Sequence, residues 1–252
     1  MQKIALLVTL LLPFSLLAQR GKKPKKPLIP TVFVSANFGL QQSNVIVYKD
    51  FFWDALYENS LFYHSGNGWQ GDVRVGLNVW NHLEIQTGLG YDRRSFVQTS
   101  RFGYTYCDPV FYGATEVVGT YRTVTLESWE VPIEVRYRYQ FKGFTLIPTV
   151  GSGLCFYTGK RQAVEVLMDN GRVATHEAND IELEHNRSTN FTLTARLGVG
   201  YQVTKRITAK LEPFYKKYLG KEELFTKYSN TGLRSFGMTC GVEYALKMGR
   251  LR

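Results

Sequence analysis

The stretch TNFTLTARLGVGYQV, residues 189–203, decides the architecture. Phe191, Leu193, Ala195, Leu197, Val199, Tyr201 and Val203 occupy one side of an extended chain. Asn190, Thr192, Thr194, Arg196, Gly198, Gly200 and Gln202 occupy the other. A strand turns successive side chains to opposite faces, whereas a helix would smear these polar positions around its axis. Residues 129–139 repeat the pattern, with Trp129, Val131, Ile133, Val135, Tyr137 and Tyr139 against Glu130, Pro132, Glu134, Arg136 and Arg138. Residues 83–91 do so again, and segments near 31–41, 69–80, 144–157, 207–218 and 233–246 complete a set of eight.

Working outward from these strands, the connections alternate between long and short. Tight turns fall at Asn81, at Gln140 to Gly143 and at Thr204 to Arg206, and every other connection is long, as in 42–68 and 158–187. Short turns at one end and long loops at the other are the mark of a membrane β-barrel with both termini on the inner side. An even strand number lets the sheet close on itself and removes exposed edges. The expectation is an all-β chain, an eight-stranded antiparallel up-and-down transmembrane β-barrel over residues 31–246.

Which face points outward follows from charge. The polar face carries seven acids (Asp72, Glu84, Asp92, Glu130, Glu134, Glu212, Glu243) and seven bases (Arg74, Arg94, Arg136, Arg138, Arg196, Lys210, Lys216). That balance suits an enclosed ion-pair network, because an unpaired buried charge is very costly. Aromatics gather near the strand ends of the apolar face: Trp69, Tyr91, Trp129, Tyr139, Tyr201 and Tyr244. They resemble interfacial girdles. The alternative with faces reversed would be a secreted soluble barrel with an apolar ligand pocket.

Composition agrees with strands. Apolar residues make up 44% of the 252, Tyr and Phe number 16 each and Gly 23, a mix better suited to sheets than to helices. A charged fraction of 21% excludes a bundle of transmembrane helices. Three cysteines are too few for a disulfide scaffold, and no C-x-x-C pair suggests zinc or thioredoxin chemistry.

Met1 to Ala18 reads as a secretory signal peptide: Lys3, then the apolar run Ile4–Leu12, Pro13, and Ala18 before the cut. That run is too short to span a bilayer, which takes about 20 residues. No Cys follows the cut, which argues against a lipid anchor. Residues 19–30 form a basic periplasmic tail, with five Lys or Arg between Arg20 and Lys26. Removing the signal lowers the net charge of +10 by one, since Lys3 is its only charged residue. Lys247 to Arg252 form a short C-terminal extension.

Three stretches carry a resemblance: WEVPIEVRYRY (129–139), PTVGSGL (148–154) and RLGVGYQVTKRIT (196–208). Together they resemble the PorT-like outer-membrane β-barrel family of Gram-negative bacteria, over nearly all of residues 31–246. The resemblance implies an eight-stranded outer-membrane barrel, exported by its signal peptide. One branch of that family works in protein secretion, and most members have no assigned activity. Thr239 to Leu246 also looks like the C-terminal signal read by the barrel-assembly machinery, although six residues follow it here.

For function, the sequence favours a non-enzymatic membrane protein whose external loops contact a partner protein, a glycan or lipopolysaccharide. Other readings are an accessory subunit of a secretion or uptake complex, and a rim-located lipid hydrolase or deacylase. An eight-stranded barrel is just wide enough to be filled by its side chains, which argues against a general porin. Asp72, Arg74, Glu84, Glu130, Glu134, Arg136, Arg138, Arg196, Lys210, Glu212 and Glu243 are expected to form a structural lumenal network. No catalytic, cofactor or metal site is assigned, and no nucleic-acid partner is expected. His64-Ser65 offers a base and a nucleophile, but neighbours on a strand point apart. The acidic run His176 to His185 matches no calcium-loop spacing. Asn170-Gly171 signals a hairpin projecting as a two-stranded ribbon. Phe51, Phe52, Trp53, Tyr57, Phe62 and Tyr63 crowd the first long loop, either stacking on a partner or folding over the mouth as a lid. Cys107 and Cys155 both fall toward the outer end and could pair, while Cys240 should face lipid as a free thiol.

Overall fold

In the computed structural model, residues 31–47, 61–80, 82–101, 117–141, 143–168, 173–179, 189–220 and 231–247 are described. The expected signal peptide, basic tail and C-terminal extension lie outside them, except that Lys247 ends the last strand. So do Phe51, Phe52, Trp53, Tyr57, Cys107 and His185. The strands are β1 (Thr31–Val47), β2 (Leu61–Trp80), β3 (Leu83–Arg101), β4 (Val117–Tyr137), β5 (Tyr139–Phe141), β6 (Phe144–Met168), β7 (Val173–Asn179), β8 (Thr189–Gln202), β9 (Ile207–Tyr218) and β10 (Thr231–Lys247).

Eight of them close a ring. The antiparallel ladders run β1–β2–β3–β4–β6–β8–β9–β10 and return from β10 to β1, from Thr31 opposite Lys247 to Val47 opposite Thr231. Every staff of the ring thus has a hydrogen-bonded neighbour on both sides, as a chain surrounded by hydrocarbon requires. The short β5 continues β4 past an interruption at Arg138, whose N–H bonds the His82 carbonyl at 2.7 Å. The β4–β6 ladder stops at Arg136–Thr149, one residue short of Pro148, which has no N–H to contribute. Two further prolines leave their mark on the wall. The β3–β4 ladder skips from Thr87–Ile133 to Gly90–Glu130 around Pro132, and the β8–β9 ladder skips around Pro213. At the first of these, the Thr87 hydroxyl donates to the Pro132 carbonyl at 2.8 Å.

The inner-side turns are short. Gly143, at φ +88°, turns β5 into β6 in a conformation that costs glycine little. The opposite end differs from the sequence expectation. Much of the length assigned to loops is strand: β1 runs on to Val47, β2 begins at Leu61, β3 reaches Arg101, β4 begins at Val117 and β6 extends to Met168. His64 and Ser65 therefore lie in β2, and His176 lies in β7. The expected ribbon around residues 170–171 is present, with Arg161–Leu167 paired to Val173–Asn179.

The reason for the longer strands is an inversion of polarity. From Trp80 up to Trp69, and at the same level around the ring, the outward side chains are apolar and the inward ones polar. Above that level the alternation continues with its sign reversed, in phase on β3, β4 and β9 and shifted by one residue at a bulge in β6. Phe96, Val124, Leu126, Cys155, Tyr218 and Leu233 turn inward and pack into one buried cluster. Ser95, Thr123, Thr125 and Glu127 turn outward, and the Ser95 and Thr125 hydroxyls hydrogen-bond across the outer surface at 3.2 Å. The lower part of the wall faces hydrocarbon, and the upper part faces water.

Candidate functional site

The lumen is built from the inward face of each staff, and the ladder registers set which charges meet. At the inner end, Arg136 and Arg138 share two carboxylates. Arg136 reaches Glu84 at 2.5 Å and Glu243 at 2.7 Å, and Arg138 reaches Glu84 at 2.7 Å and also bonds Glu243. The Arg136 guanidinium lies 3.6 Å from the centre of the Phe33 ring, a stacking that a planar cation allows. Phe33 fits only because position 76 is glycine: a Cβ there would collide with the ring.

One layer up, Arg74 contacts Asp72 at 2.8 Å and also bonds Glu134, while Arg196 lies 3.3 Å from Glu134 and 3.9 Å from Asp72. Gln86 donates to Glu134 and Asn37 to Asp72. Lys210 contacts Glu212 at 3.2 Å. Above these, Lys216 lies 2.6 Å from Glu130 and 3.6 Å from Asp92, and Thr192 donates to Glu130 at 2.5 Å. The Tyr218 hydroxyl donates to Asp92 at 2.7 Å, and the Arg94 guanidinium sits 3.8 Å from the Tyr218 ring centre. All eleven residues assigned to a lumenal network in the sequence are thus inside the barrel, joined there by Asp92, Arg94 and Lys216.

A cavity of about 10 Å³ among Gln70, Asp72, Arg74, Asp92, Glu130 and Lys216 holds about one water molecule. The apolar cluster of Phe96, Val124, Leu126 and Leu233 lies above it, each of these side chains 2% exposed or less. Sequence reading missed this plug because Phe96, Val124 and Leu126 lie beyond the segments 83–91 and 129–139, and Leu233 stands at the very start of 233–246. The signal that could have found it was continued alternation with opposite sign.

Cys155 faces the plug and is a free, buried thiol, so no bridge to it is formed, while Cys240 is free and exposed on the outward face. The Ser65 hydroxyl is bonded to the Gln42 side chain at 2.7 Å. Phe62 and Tyr63 lie in β2, with backbone partners Thr99 and Gln98, rather than in a loop. Among the described residues, no group of three His, Cys, Asp or Glu could hold a metal ion.

The outer surface has two aromatic borders. Trp69, Tyr91 and Trp129 on β2, β3 and β4 form a row with ring centres 5.3 and 5.2 Å apart, and Phe38 joins it at 6.0 Å. Trp80, Tyr139, Phe141, Phe144 and Tyr201 mark the other border. From Trp129 to Tyr139 the chain advances about 33 Å, which at the usual tilt spans about 25 Å of membrane normal, the height of a barrel's apolar band. Directly above the first border, Glu127 lies 3.8 Å from Arg93 and 4.0 Å from Arg161.

A closed ring of strands with an apolar belt, two aromatic borders and a charged lumen defines a membrane-spanning β-barrel. No family model and no curated protein matches the chain. It is similar to solved structures of such barrels. Neisserial surface protein A shares 16% identity over 86% of this chain and 97% of its own, with a TM-score of 0.41. The outer membrane protein OprG from Pseudomonas aeruginosa shares 8% over 86% and 96%, with a TM-score of 0.44. The outer membrane protease OmpT from Escherichia coli shares 12% over 89% and 99%, with a TM-score of 0.37. The fold assignment rests on the ladders and the two faces of the wall.

Proposed function

We propose that this chain is an integral outer-membrane protein that works without catalysis, as an anchored scaffold whose external surface contacts a partner protein, a glycan or lipopolysaccharide. The observation that carries the reading is the filled lumen. Among the described residues, an inner face taken up by paired charges and an upper mouth packed with Phe96, Val124, Leu126 and Leu233 support a scaffold rather than a conduit. Recognition then belongs to the connections at the plugged end, including the aromatic residues Phe51, Phe52, Trp53 and Tyr57. The signal-like segment Met1 to Ala18 and the resemblance of 129–139, 148–154 and 196–208 to PorT-like barrels support export to the outer membrane. Thr239 to Leu246 is the segment that the barrel-assembly machinery would read.

The test combines gel mobility with conductance. Outer-membrane fractions are run boiled and unboiled, and the purified protein is added to a planar bilayer. The expected result is faster migration unboiled, with no conductance steps. Discrete ion-conducting openings would overturn the filled-lumen scaffold, and recovery as a soluble periplasmic protein would overturn the membrane barrel.

A further inference from the structure

The first outward-facing residues above the apolar belt are unevenly charged. Arg93, Arg161, Lys217 and Arg234 stand there, against Glu127 and, farther out on β6, Glu165 among the described acids. Glu127 lies between Arg93 and Arg161. Lys217 and Arg234 have no carboxylate partner among the described residues, yet they sit directly opposite one another on β9 and β10. Opposed residues of an antiparallel pair bring their Cβ atoms within about 5.5 Å, and like charges placed so repel. The next residue in this row is Asn44 of β1, opposite Arg234. One step toward the membrane, Tyr215 and Phe236 are paired and both exposed.

Two adjacent cations and an amide donor, above two exposed rings, complement a particular chemistry: an anionic group carried on an apolar body, held at the membrane's outer border. Arginine offers a planar fork that matches phosphate oxygens, and lysine adds a point charge. We propose that Lys217, Arg234 and Asn44 bind the phosphorylated headgroup of an outer-leaflet lipid, with its apolar part lying against Tyr215 and Phe236. This rests on the barrel orientation proposed above, with the plugged end outward. It deepens that reading by assigning the lipid contact to the wall of β1, β9 and β10 rather than to the loops. The bound phosphate relieves the repulsion between the two cations.

The experiment uses the full-length protein in nonionic micelles and a fluorescent bisphosphorylated lipid A as probe. Near an anionic surface each basic residue strengthens binding about fivefold, so Lys217→Gln with Arg234→Gln should weaken it about 25-fold. Asn44→Ala should weaken it less, and Arg93→Gln should leave it within about twofold. Gel mobility of unboiled Lys217→Gln/Arg234→Gln is read in parallel, and an unchanged shift shows that the barrel stands whatever the binding result. The proposal is overturned if the folded double variant binds as tightly as the parent, or if a lipid A lacking both phosphates binds equally. Displacement of the probe by millimolar inorganic phosphate would also overturn it, since the site would then take a free anion rather than a lipid.

Discussion

Neutralising Glu134 should destabilise the barrel more than any change on its outer face. Glu134 is 1% exposed and bonds Arg74 and Gln86, with Arg196 at 3.3 Å. Two arginines and two carboxylates balance in this layer, the second acid being Asp72. Glu134→Gln keeps the shape and leaves two guanidinium charges facing one carboxylate. Removing one partner of a buried ion pair costs about 3–5 kcal/mol, because the remaining charge stays desolvated and unmatched. Adding Arg196→Gln restores the balance, so the double variant should be less destabilised than the sum of the singles by about 1–3 kcal/mol. The assay is urea unfolding of protein refolded in lipid vesicles, with the folded fraction read from the fast unboiled band. A loss below about 1 kcal/mol for Glu134→Gln, or strict additivity in the double variant, would refute the view that these charges act as one balanced layer.

Other outcomes follow from the same geometry. Gly76→Ala drives a methyl into the Phe33 ring and should cost about 1–3 kcal/mol in the same assay, as overpacking generally does. Phe96→Ala with Leu126→Ala empties the plug and should lower stability by several kcal/mol, since large-to-small changes in packed cores cost about 2–5 kcal/mol each. Cys155, 1% exposed, should resist a water-soluble maleimide in the folded Cys107→Ser background. Cys240, exposed beside Phe38, should react with a lipid-soluble one, and equal labelling of both thiols would contradict the orientation of β6 and β10. Trp129→Ala removes one edge contact with Tyr91 and should cost about 0.5–1.5 kcal/mol beyond its burial.

The number of staves, their order as an up-and-down barrel and the end bearing the short turns were legible along the chain, because alternation and turn chemistry are local. The segment 189–203 shows this best: its two faces in sequence are its two faces in the wall. Charge count also pointed the polar face inward, since seven acids and seven bases suit a closed space better than hydrocarbon. Partner choice was not legible. Arg74 meets Glu134 across 60 positions of chain, and only the ladder registers bring them to one layer. The strand ends were misjudged for a related reason. The apolar stripe ends before the strand does: at Ser95, Thr125 and Glu127 the surrounding solvent changes from lipid to water, so the stripe crosses to the inside and becomes the plug. Alternation is a property of the backbone and is written in the sequence. Which side must be apolar depends on the medium at each height, and that is decided only when eight strands stand together in the wall.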